Sequence, residues 1–193
     1  MNYQIENWFP KPIYYTDQVC MSELEVYEKR IKEVLDEKGW ADSEYLGVQS
    51  THTTYAKLHE DPVFRNLCDA ISHHAFNFAV ALGYRPEVAF KLTIENMWAN
   101  VSGQHGYNFP HTHPGALLAG AFYIKSVPEN VLTFYDKYEV LELATEESIY
   151  RGQPVEYKCD PGRLILFKAD FIHGNAPQKS VGEKIVISFN LRT

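Results

Sequence analysis

Asn108-Phe109-Pro110-His111-Thr112-His113-Pro114-Gly115 is answered sixty residues later by Gly162-Arg-Leu-Ile-Leu-Phe-Lys-Ala-Asp-Phe-Ile-His-Gly174. His111 and His113 are two positions apart, so an extended backbone sends both side chains from the same face. The second stretch reads as an apolar strand that delivers His173. Glu183-Lys-Ile-Val-Ile-Ser-Phe-Asn190 then adds a cation, Lys184, and a hydroxyl, Ser188, on one further strand. Three imidazoles from two strands, followed by a strand-borne cation, suggest a redox iron site with an anionic cosubstrate.

Working outward, the whole of residues 86–193 has strand grammar. Phe90–Val101, Leu117–Lys125, Val131–Tyr135, Pro154–Lys158, Arg163–Lys168 and Lys184–Arg192 are short apolar or alternating runs separated by Gly, Pro, Asn and Asp. In the last run Ile185, Ile187, Phe189 and Leu191 share one face. Lys184, Val186, Ser188 and Asn190 share the other, which is half polar, as a cavity lining would be. Residues 1–85 differ. Trp8-Phe-Pro-Lys-Pro-Ile-Tyr-Tyr15 suggests an extended edge strand. Ser22 with Glu25 reads as a capping box for a helix to Lys38, stopped by Gly39. Asp61 and Pro62 open a second helix that ends at Gly83, with Phe64, Leu67, Ile71, Ala75, Phe78 and Leu82 along one face. Two helices followed by a run of strands predict one domain over residues 1–193: a mainly β jelly roll, cupin-like, with the helices packed outside it.

Bulk properties narrow the function. The 193 residues suffice for a core without metal or disulfide staples. Acidic residues outnumber basic ones by 25 to 18 with no Lys/Arg run, which disfavours generic binding to nucleic acid or anionic membranes. Three well-separated cysteines, Cys20, Cys68 and Cys159, make neither a disulfide framework nor a paired-thiolate zinc site. A reducing cytoplasm is the expected compartment. The opening residues show no leader pattern, and no apolar run is long enough to span a bilayer.

The ordered set Phe9-Pro-Lys-Pro-Ile13, Asn100-Val-Ser102, His111-Thr-His-Pro114, Ala121-Phe-Tyr-Ile-Lys125 and His173…Lys184…Ser188-Phe-Asn190 resembles the 2-oxoglutarate/Fe(II)-dependent oxygenase superfamily, in a microbial and phage branch. The resemblance implies a double-stranded β-helix that uses Fe(II), 2-oxoglutarate and O2, with hydroxylation as the default outcome. It makes His111 the first metal ligand and His173 the distal one. His113 stands where the superfamily usually has an aspartate; Asp136, ending Val131–Asp136, is the nearest alternative carboxylate. Lys184, eleven residues after His173, matches the cation that pairs with the far carboxylate of 2-oxoglutarate, with Ser188, Tyr123 and Asn100 as further cosubstrate contacts. Two rivals stand beside this reading: a cupin-like three-histidine metalloenzyme without 2-oxoglutarate, and a non-catalytic jelly-roll binding module. Neither the prime substrate nor the oligomeric state is legible. His52, His59, His73, His74 and His105 read as connection, helix-surface or turn residues.

Overall fold

The structure is a computed structural model and describes residues 4, 10–42, 47–136 and 154–193. Tyr14–Thr16 forms β1, and Leu24–Lys38 forms α1. Ala41–Asp42 and Val48–Ser50 form β2 and β3, and Arg65–Ala81 with the short turn Pro86–Ala89 form α2 and α3. The strands of the second half are β4 (Thr93–Ser102), β5 (Asn108–His111), β6 (Leu118–Lys125), β7 (Val131–Tyr135), β8 (Val155–Lys158), β9 (Leu164–Lys168), β10 (Ile172–Asn175) and β11 (Lys184–Arg192).

They build two antiparallel sheets, ordered β1-β9-β6-β11-β4-β3-β2 and β5-β10-β7-β8. The central strands of the first sheet face the four of the second, which is the double-stranded β-helix. The sequence alternation fixes which way each strand looks. Ile185, Ile187, Phe189 and Leu191 of β11 join Phe64, Leu67, Ile71, Ala75 and Phe78 in the layer between the large sheet and the helices. Ala119, Ala121, Tyr123, Ile165, Phe167 and Val186 point the other way, into a second core between the sheets. One face of each strand therefore holds the scaffold together, and the other is left for the cavity.

Several local expectations need correction. Ser22 does not cap α1: residues 21–23 make a tight 3-10 turn, and its hydroxyl donates to the Glu23 carboxylate at 2.8 Å. Asp61 does cap, accepting from the Val63 amide at 3.0 Å, while also pairing with Arg30 at 2.7 Å. The strand expected from Phe90 begins at Thr93, because Pro86 starts a helical turn that leaves Phe90 83% exposed. Gly162–Gly174 is two strands rather than one. The chain turns at Ala169–Phe171, passing from the large sheet to the small one, so His173 lies on β10 opposite His111 of β5. Ala41–Asp42 and Val48–Ser50 form the last two strands at one end of the large sheet, which their polar sequence concealed. Of the expected N-terminal strand, the described residues form Tyr14–Thr16, paired on the sheet edge with β9; Trp8 and Phe9 lie outside the described residues. No helix among the described residues is long and apolar enough to cross a membrane.

Candidate metal centre and its cavity

The register of the small sheet brings His173 directly across from His111. His113 follows β5 in a turn anchored by its amide, which donates to the Ala169 carbonyl at 2.8 Å. One ring nitrogen from each of the three histidines lies within 4.8 Å of the others, and no other such grouping of His, Cys, Asp or Glu occurs among the described residues.

The outer ring nitrogens explain the orientation. His111 Nδ1 donates to the Phe109 carbonyl at 2.7 Å, His173 Nδ1 to the Phe171 carbonyl at 2.9 Å, and His113 Nδ1 to Asn190 Oδ1 at 2.7 Å. Each partner is an oxygen acceptor, so the proton sits on Nδ1 and Nε2 is the unprotonated nitrogen. Holding a ligand imidazole by its other N–H is how proteins orient metal-binding histidines. Nε2 of His113 lies 3.2 Å from Nε2 of His173, so two lone pairs converge on one point. Burial, with the nearby His111 as second cause, lowers the pKa of His173 to about 3 and of His113 to about 4. Those two imidazoles are thus neutral at physiological pH, the form that binds metal. Imidazole is a suitable donor for iron, and the donor set fits that ion with no carboxylate in it. Asp136 stands apart, paired with Lys11 at 2.6 Å.

The histidines open into a cavity of about 410 Å³. Lys184, Ser188, Tyr123 and Asn100 all line it, as do Val186 and Asn190, so the half-polar face of β11 is the cavity wall. Asn100 Nδ2 donates to Ser188 Oγ at 3.2 Å. Tyr123 is buried with the Cys159 thiol beside it, and burial pushes both groups' pKa values up, keeping them uncharged. Lys184 is only 5% exposed, forms no ion pair among the described residues, and is pushed below its ordinary pKa by burial. A cation in such a place is costly unless an anion joins it.

Sequence reasoning missed three contributors. Trp98 and Asn96 line the cavity on β4; counting back by twos from Asn100 would have found both. His52, dismissed as part of a polar connection, packs against Trp98 in a tilted arrangement with ring centroids 4.4 Å apart, and no sequence signal marks it. His73 and His74 stay on the helix surface, bonded to Asn77 and Tyr14. His105 sits in a turn tied to Gln178 and does not reach the cavity.

Residues 96–190 match a family model described as "Putative 2OG-Fe(II) oxygenase". No curated protein matches the chain. Among solved structures, the chain resembles a Pseudomonas putida prolyl-4-hydroxylase with 9% identity and TM-score 0.64, over 94% of this chain and 92% of that one. A non-heme alpha ketoglutarate dependent carbocyclase from nogalamycin biosynthesis gives 14% identity and TM-score 0.70, over 94% and 79%. A Streptomyces hygroscopicus protein solved with nickel and 2-oxoglutarate bound gives 11% identity and TM-score 0.64, over 94% and 82%. At these identities the structural likeness speaks for the fold.

Proposed function

We propose that the chain is a 2OG-Fe(II) oxygenase in which His111, His113 and His173 hold the iron while Lys184 receives the far carboxylate of 2-oxoglutarate. The observation that carries the reading is the buried Lys184, without an ion pair among the described residues, sharing one cavity with the three histidines. A three-histidine metalloenzyme without 2-oxoglutarate leaves that cation unexplained.

With iron and 2-oxoglutarate in place, the site supplies an O2-derived oxidant for a substrate C–H bond as 2-oxoglutarate is converted to succinate and CO2. The chain's own residues orient and exclude. The carbonyls of Phe109 and Phe171 and the Asn190 amide oxygen fix the three rings. Ser188 and Asn100 offer neutral hydrogen-bonding groups alongside Lys184, and Tyr123 offers a hydroxyl that stays protonated. Phe167 and Phe134 back the His173 ring, at centroid distances of 4.5 Å and 5.9 Å, and keep water from that side. Hydroxylation is the outcome proposed, in one oxygenase unit over residues 1–193 and in a reducing cytoplasm that suits its free thiols.

Because the donor set holds no carboxylate, bound Fe(II) would keep one more positive charge than it would beside an aspartate. His113→Asp should therefore retain iron, whereas His173→Ala should lose stoichiometric Fe(II) and 2-oxoglutarate-dependent succinate release while staying folded. Full iron affinity in His173→Ala would overturn the assignment.

A further inference from the structure

The polar side chains of the cavity can be sorted by what they already hold. Asn190 accepts from His113, Asn100 donates to Ser188, and Arg192 is held by Glu95 at 2.6 Å. Lys184 is taken by the cosubstrate on the reading above. Three carboxamides are left over. Asn96 lies on β4 of the large sheet, and Asn108 and Asn175 face each other across the β5–β10 pair of the small sheet. Asn96 Oδ1 and Asn108 Oδ1 are buried without a protein partner, and the Asn175 amide reaches only the adjacent Ala176 carbonyl, at 3.3 Å.

Buried polar atoms are nearly always hydrogen-bonded. Among the described residues, three of the six that are not are asparagine oxygens on this one cavity, those of Asn96, Asn100 and Asn108. In this orientation the cosubstrate does not satisfy them, since its carboxylates and keto group bring acceptors only. Turning an amide over exchanges acceptor for donor, and a hydroxyl matches either orientation. Trp98, two residues from Asn96 on the same face, turns its indole toward this space, 5.9 Å from the His113 ring. Such a flat ring packs well against the C–H face of a saturated ring.

We propose that the prime substrate is an uncharged, hydroxyl-rich small molecule, a cyclic polyol or simple sugar, hydrogen-bonded by Asn96, Asn108 and Asn175 with its C–H face on Trp98. A fatty chain would leave the three carboxamides unmet, a penalty by which sites built for hydroxyls reject analogues lacking them. An anion would need a second cation, and the Arg192 charge is already met by Glu95.

This inference rests on the oxygenase reading, and the test separates the two. Ligand-observed saturation-transfer NMR is run on protein loaded with redox-inert Zn(II) and 2-oxoglutarate. The probes are myo-inositol, methyl glucoside and methyl galactoside, against cyclohexanol, benzoate and octanoate. Saturation transfer to the ring protons of a polyol is expected, with binding weakened about tenfold in Asn96→Leu, the cost of one hydrogen bond left unmade. Asn96→Ser, which keeps a small polar group, should recover part of the loss. Preference for the apolar or anionic probes, absence of contact with every polyol, or equal polyol binding by Asn96→Leu overturns the proposal. A 2-oxoglutarate titration on the same samples reports separately on the cosubstrate site, and its failure would strike the oxygenase assignments instead.

Discussion

Replacing Lys184 with Met keeps most of the stem's volume and removes the charge. In the cosubstrate-free protein that charge is buried and has no ion pair among the described residues, so its loss should leave thermal stability unchanged or slightly raised. With 2-oxoglutarate the sign reverses. A charge-assisted contact contributes roughly 1.5–3 kcal/mol, so Lys184→Met should weaken 2-oxoglutarate binding by about one to two orders of magnitude. Lys184→Arg should be partly competent. Anaerobic titration calorimetry on the Fe(II)-loaded protein measures the affinity, with iron binding itself close to wild type. The pH response gives an independent check. Burial lowers the folded pKa of Lys184 below its unfolded value, so between the two the unfolded chain binds the extra proton and cosubstrate-free stability rises with pH. Binding the dicarboxylate favours the ammonium and takes up a proton in that same window, so affinity falls as pH climbs. Tyr123 and Cys159 flank the site and burial raises both; on that thiol Lys184 and Arg163 act to lower the pKa and Asp160 to raise it. Unaltered affinity in Lys184→Met, at any pH, would refute the reasoning and return the lysine to a structural role.

Two further perturbations probe the scaffold of the site. Asn190→Leu removes the acceptor that fixes His113 and should weaken Fe(II) binding by about 10–100-fold, read by metal competition, although Asn190 would never touch the ion. Gly120→Ala puts a methyl group against the Phe189 ring and within 2.7 Å of the Ile165 carbonyl oxygen, so it should destabilise the fold by about 1–3 kcal/mol in urea unfolding, with the histidine geometry intact.

The parts legible in the sequence are those where side-chain period and function coincide. On β11 the alternation that buries Ile187 and Phe189 against the helices necessarily turns Lys184 and Ser188 into the cavity, so strand, core and site came from one pattern. His111 and His173 were legible as a pair because each sits beside a strand-forming run. Their partnership across β5 and β10 was not, since the turn at Ala169–Phe171 that moves the chain between sheets has no strong punctuation of its own. His52 was invisible for a different reason: it reaches Trp98 through tertiary packing of an edge connection, and no local pattern encodes that. Ser22 shows the reverse error, a correct cap motif overridden by a tighter first turn. The carboxamides of the cavity became meaningful only when their neighbours' hydrogen bonds could be counted.

The most direct test of the central claim is the visible spectrum of the protein mixed anaerobically with Fe(II) and 2-oxoglutarate. Chelation of the cosubstrate by iron at His111, His113 and His173 predicts a metal-to-ligand charge-transfer band that saturates at one equivalent of each and is lost in His173→Ala. A protein that binds Fe(II) stoichiometrically yet shows no such band at saturating 2-oxoglutarate would contradict the account.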